Sequence, residues 1–370
     1  MDNITKIFIF IEIIFGVNRL RIFDKVKFVY SVIVFIYCIC LSLTFGYLVS
    51  EKKSNLYISH LIIVNVASYF INSILAFIFC KKYREFFEEL KSFDNKIAFE
   101  SRISSSSILN AVACCIILAI FSMFNLSGYY MAYVTEKTLY MTIKHTVFSL
   151  ELFTYGHLMS LLLQRLQYIK KTVIHCLDNG SSINRSKNKQ RQQYNDTTEE
   201  DMKRLVLFYH SIVKAYDILN AAIKYQFIIM LLESFLTNIV FWNLLAVDYA
   251  SQKFDLWKKG SQAVIMFIAT IIPFFSPCHF ANQIKVEVAN ISDSIRSNLH
   301  KLVPNFFTLF TDKKSRNAAK LLLSLTNCRT LSFSLFRMIS VDILLPFKIL
   351  GYIATYLIVL MQFEKITGSS

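Results

Sequence analysis

The sequence predicts an all-α polytopic membrane protein with seven transmembrane helices and a cytosolic N-terminus. Three observations carry the prediction. The 370 residues are 55% hydrophobic and 15% aromatic, with 34 Phe, and the mean hydropathy is +0.46, outside the usual range of a soluble domain. Apolar stretches long enough to cross roughly 30 Å of hydrocarbon recur along the chain. The basic residues alternate with those stretches instead of forming one patch. The net charge of +15 therefore reads as the positive-inside pattern of a membrane protein and not as a nucleic-acid surface.

Taken in order, residues 1–27 mix apolar side chains with Lys6, Arg19, Arg21, Lys25 and Lys27. This predicts a cytosolic amphipathic segment lying along the membrane, without the small-residue cleavage site of a signal peptide. Spans 1 to 4 occupy 28–164: Phe28–Ser50, about Leu56–Cys80, about Ile108–Thr135 and about Thr138–Gln164. The fourth contains Lys144, His145, Glu151 and His157, which must face protein or a water-filled cavity. Residues 165–224 read as cytosolic helical extensions around a polar loop, 178–201, whose Asn, Ser, Lys, Arg and Gln content predicts disorder. Spans 5 and 6 fill 225–284, with Glu233 in the fifth and Pro273 and Pro277 set to kink the sixth. Residues 285–340 are basic and amphipathic and predict cytosolic anchor helices. The seventh span is Val341–Phe363, and 364–370 form an extracellular tail.

Seven spans put the termini on opposite sides. The segments on the N-terminal side hold 31 Lys and Arg, those on the other side 7, which places the N-terminus in the cytosol. The N-x-S/T acceptors at Asn3, Asn179, Asn184, Asn195 and Asn290 all fall on the cytosolic side of this arrangement, so none is offered for glycosylation. The topology is inverted relative to G-protein-coupled receptors. The eight cysteines show no paired zinc-ligand spacing and read as small apolar packing residues and reduced thiols.

The last span ends in Thr355-Tyr356, five apolar residues, then Gln362-Phe363. Thr, Tyr and Gln in apolar surroundings each need a partner. Four fixed identities arise by chance at about one position in 10^5 at common residue frequencies of roughly 5%. The string resembles the C-terminal signature of insect gustatory receptors, which share the inverted topology with insect odorant receptors. The resemblance implies a homotetramer, or a hetero-tetramer with related receptors, whose seventh spans line a central pore. Gln362 and Phe363 match the family's gate, Val359 one turn earlier faces the lumen, and Thr355 and Tyr356 complete the signature. A ring of Phe side chains closes a pore by excluding water, and a neighbouring Gln ring suits a hydrated open state. The other reading of Thr355, Tyr356 and Gln362 is hydrogen bonding between helices of one subunit.

With the N-terminus inside, the outer halves of the spans contain Asn65, Tyr129, His145, Asn238, Phe241, Trp242, Gln262 and Met266. Aromatic walls with a few amides and one imidazole suit a small, partly apolar organic ligand, and Trp242 is the strongest single candidate. Interhelical packing or interfacial anchoring is the bland reading of each, and for Tyr129 an aromatic belt competes with the pocket. The outer halves lack a dense set of carboxylates and amides along the sequence, which favours a bitter or other non-sugar tastant over a sugar.

No catalytic constellation, phosphate-cradling glycine loop or metal motif is evident, so an enzyme is not expected and no cofactor is implied. His145, Glu151 and His157 are spaced by six and twelve residues and do not share a tight face. The expected function is a tastant-gated non-selective cation channel with the lipid bilayer and a small molecule as partners. A metabotropic receptor acting through an intracellular partner is the first rival, and a sugar-gated channel of the same family another. A transporter would show matched broken helices in two halves, which Pro273, Pro277 and Pro346 do not supply.

Overall fold

In the computed structural model the described residues are 3–14, 17, 19, 28–50, 56–97, 136–182, 188–250, 256–301, 313–329, 331–336 and 338–367. They form α1 (Asn3–Ile14), α2 (Phe28–Ser50), α3 (Leu56–Ile97), α4 (Glu136–Ser182), α5 (Asn188–Ala250), α6 (Leu256–Lys301), α7 (Lys313–Cys328) and α8 (Leu345–Thr367). The third predicted span, 108–135, lies outside the described residues, and so does Tyr129.

The first span is matched at both ends by α2. α3, α4, α5 and α6 are longer than a bilayer requires. At ~1.5 Å per residue, the 63 residues of α5 extend about 95 Å. The excess is a helical extension at one end of the bundle. There Phe86, Leu90 and Phe93 of α3, Leu166, Ile169 and Val173 of α4, and Leu205, Tyr209 and Ile212 of α5 continue a common core. The repeat of three and four residues puts each set on one helix face. The opposite end carries short connections and is called the short-loop end below.

Three expectations change. The stretch 178–201 is helical over 178–182 and 188–201, because the packed helices on either side propagate into it and pairs such as Arg204–Glu200 at 2.6 Å support exposed turns. α6 runs continuously through Pro273 and Pro277. The last helix starts at Leu345, four residues late. Val341 and Asp342 instead finish a tight hairpin, in which Ser334–Leu335 pairs with Ile339–Ser340 and Phe336 takes a positive φ of 52°. Asp342 Oδ1 accepts from the Leu344 N–H at 3.1 Å, and Pro346 sits in the first turn, where its missing N–H costs nothing. At the other end α8 continues to Thr367, into the stretch expected as a tail.

α4 is the central helix. It packs on α6, α5, α2 and α1, while α3 packs chiefly on α5 and α2. Of the apolar 18-residue segment within Lys144–Cys176, 94% is buried, against 39% and 44% for those in α3 and α5. Gly156 explains how α6 comes so close. A Cβ there would lie 2.2 Å from Ser276 Oγ and 3.2 Å from the Ser276 carbonyl carbon, so any side chain would force Ser276 or its helix to shift.

Candidate functional site

Enclosure by neighbouring helices allows α4 to carry charge in the membrane. A buried ammonium needs a counter-ion and acceptors. Lys144 has both: its Nζ pairs with Glu233 Oε1 of α5 and donates to Asn65 Oδ1 of α3. Lys144 and Glu233 are 3% and 4% exposed, so bulk solvent does little to screen the pair. The Lys144 ammonium also lies 5.9 Å from the centroid of Phe148, within cation–π range.

The polar site continues around this pair. Thr237 Oγ1 donates to Asn65 Oδ1 at 3.5 Å. Asn238 Nδ2 donates to Thr270 Oγ1 and to the Ser234 carbonyl, both at 2.8 Å, and Ser234 Oγ donates to the Thr270 carbonyl at 3.1 Å. Four helices therefore meet at one polar centre towards the short-loop end: α3 through Asn65, α4 through Lys144, α5 through Glu233, Thr237 and Asn238, and α6 through Thr270. His145 is buried beside Lys144.

Of the predicted ligand residues, Asn65, His145 and Asn238 are thus placed around one centre. Trp242 lies one turn beyond Asn238, half-buried against the core. The side chains of Phe241, Gln262 and Met266 are outside the described residues. The Lys144–Glu233 pair was not foreseen as a pair. Its signal was available: two opposite charges inside adjacent apolar spans, which a membrane forces to find each other.

The signature residues occupy a different setting. Leu345, Ile349 and Ile353 bury one stripe of α8, with Leu357 following it, against α5 and α6. Thr355, Tyr356, Val359 and Gln362 all lie off that stripe and are exposed. Thr355 Oγ1 donates to the Gly351 carbonyl at 2.8 Å, so its hydroxyl is satisfied within its own helix. The Phe363 side chain is outside the described residues.

A long helical bundle enclosing a polar centre, with an apolar helix packed on its flank, defines a polytopic membrane protein. The particular class follows from comparison with known proteins. A family model described as 7tm chemosensory receptor matches residues 8–367, and the chain belongs to that family of multi-pass membrane receptors, which are not enzymes. Two solved structures share the fold, both of the insect olfactory receptor OR5 from Machilis hrabei. One, in complex with eugenol, superposes with a TM-score of 0.64 at 14% identity, over 97% of each chain. The other gives 0.61 at 15% identity, over 98% of this chain and 100% of that one. No curated protein sequence matches significantly.

Proposed function

We propose that the protein is a gustatory receptor acting as a tastant-gated, non-selective cation channel. The observation that carries this reading is Thr355-Tyr356…Gln362-Phe363 on α8, whose described members lie off the helix's buried stripe. In this reading four copies, identical or mixed with related receptors, present that face to a common axis. Val359, Gln362 and Phe363 line the pore, and the N-terminus and helical extensions are cytosolic. Charge asymmetry supports the orientation, with 31 Lys and Arg on the extension side against 7. The ligand enters from the short-loop end and meets Trp242, Asn238, Asn65 and His145.

A bitter or other non-sugar tastant follows from the sparse polar residues along the outer spans. One observation favours the alternative. Folding gathers Asn65, Lys144, Glu233, Thr237, Asn238 and Thr270 to one place, a donor and acceptor set suited to a hydroxyl-rich ligand such as a sugar.

Heterologous expression with whole-cell recording against bitter compounds and sugars tests both. Gln362→Ala and Phe363→Ala are expected to change basal current or gating, and Trp242→Ala to shift the concentration response. Unchanged currents in both gate variants of a responsive channel would reject the pore assignment.

A further inference from the structure

The N-terminal helix buries polar and apolar side chains together. Thr5, Phe8, Ile9 and Glu12 of α1 are buried, whereas Ile7 and Phe10 are 57% and 63% exposed. A carboxylate faces the protein among apolar side chains, while Ile7 and Phe10 face outward beside the charged Lys6. What holds this arrangement is a second buried charge cluster, away from Lys144. Arg19, 1% exposed, donates from Nη1 to Glu12 Oε2 at 2.5 Å and from Nη2 to Tyr155 Oη at 3.2 Å. Its guanidinium carbon lies 4.8 Å from the Tyr83 ring centroid. Thr154 Oγ1 donates to Glu12 Oε1 at 2.7 Å. Glu151 completes the cluster, with Oε1 at 3.8 Å from Arg19 Nη2.

We propose that this cluster is a proton-binding site, with Glu151 as the residue that takes up and releases the proton. Charge and geometry agree on it. Two carboxyl groups face one guanidinium in a place shielded from bulk solvent, Glu12, Arg19 and Glu151 all being buried. If both were ionised, one negative charge would be buried without a counter-ion, which is strongly unfavourable. Glu12 is the ionised partner, since both its oxygens accept charge-assisted or hydroxyl hydrogen bonds. Glu151 is beyond hydrogen-bond distance from Arg19, and its buried Oε1 accepts no hydrogen bond. Binding converts the Glu151 carboxylate and one proton from the aqueous phase into the neutral acid. No other species is needed.

Among the described residues, few other groups can compensate Glu151. The N-terminal segment offers Arg19 and Glu12, α3 offers Tyr83, and α4 itself offers Tyr155. Tyr83 Oη donates in turn to Gln226 Oε1 of α5 at 3.0 Å, a neutral partner. On α6, the approach at Gly156 presents the neutral Ser276. Loss of the proton sets Glu151 against Glu12 for the single guanidinium. Arg19 is what ties α1 to α4, together with Thr154–Glu12 and the contact of Thr5 Oγ1 with His157 Nε2 at 3.0 Å. Proton occupancy therefore governs how firmly the N-terminal segment is held.

The inference does not depend on the channel reading, and its test needs no current. The full-length protein, purified into lipid nanodiscs, is titrated while the infrared band of protonated carboxyl groups is recorded. Wild type is expected to show a buried protonated carboxyl near neutral pH. Glu151→Gln removes the band. Glu12→Gln weakens it, because Glu151 then becomes the counter-ion of Arg19. Should Glu151→Gln not assemble, Glu151→Asp carries the test, and the band shifts in frequency. A band absent from wild type, left unchanged by Glu151→Gln, or unshifted by Glu151→Asp overturns the site.

Discussion

α4 and α8 are both membrane-length helices of one chain, yet they follow opposite rules. α4 holds Lys144, Glu151, His157 and Arg165 and is surrounded by its own subunit. α8 is nearly uncharged over 349–363, and most of its described side chains there are exposed. The difference lies in who supplies the partner. Polar groups on α4 are met by helices folded from the same chain, so charge is affordable. The face of α8 left open among the described residues is written in Ile, Val, Met and Tyr, with Gln362 placed near its end, a composition that suits lipid or another apolar helix. Membership of a receptor family with this fold fits both rules in one molecule.

The comparison breaks first, and by the largest amount, at Lys144. Lys144→Leu leaves Glu233 buried without its counter-ion and is expected to cost about 3–5 kcal/mol. The double variant Lys144→Leu/Glu233→Leu removes both charges and is expected to recover most of that loss. Thermal unfolding of the detergent-purified protein gives both numbers. A single variant as stable as wild type would show that Glu233 is not dependent on Lys144, and α4 would lose its special status.

A smaller effect separates the two glycines. Gly156→Ala drives a methyl into Ser276 and is expected to cost on the order of 1–3 kcal/mol through displacement of α6. Ser276→Ala should relieve only part of it, because the Ser276 carbonyl carbon also lies close. Gly351 of α8 has nothing within 4 Å of the corresponding position. Gly351→Ala should leave the folded subunit intact and add up to ~1 kcal/mol of helix propensity. Equal destabilisation by the two substitutions in the same unfolding assay would mean that α8 is packed by something as tightly as α4, which a subunit neighbour could do.

Much of this was legible in the residues. The boundaries of α2 follow from Lys27 and Glu51, which end an unbroken apolar run. The family was legible in four identities on α8. The charged character of α4 was legible too, but not its partners, because Asn65, Lys144 and Glu233 are separated by up to 168 positions and only packing brings them together. The buried contacts of α1 were hidden for a related reason: its mixture of Ile, Phe and charge reads as a surface helix, and periodicity gives the two faces of a helix but not which distant side chains either face meets. The start of α8 was missed because apolar residues from Val341 onward cannot reveal the cap at Asp342 or the turn that precedes it.

The smallest effect lies where the helical extensions carry ion pairs open to solvent. Glu89 of α3 accepts from Lys214 Nζ at 2.8 Å and from Ser211 Oγ at 2.6 Å on α5. Partial burial pushes its carboxyl up, but the hydrogen bonds from Lys214 and Ser211 outweigh that and hold it below its ordinary 4.5. A carboxyl lowered in the folded state binds its proton more readily when unfolded. The pair therefore stabilises above that ordinary value, and its contribution is lost as pH falls through the folded value. With Lys214 60% exposed, the contribution is screened and amounts to about 0.5 kcal/mol. Glu89→Gln should accordingly lower the unfolding temperature slightly at neutral pH and converge with wild type in acid. Salt should shrink the difference, whereas the Lys144–Glu233 pair, sealed by four helices, should keep its full effect. A Glu89→Gln penalty as large as that of Lys144→Leu, or one indifferent to salt, would erase the distinction between charge held by the subunit and charge left to water.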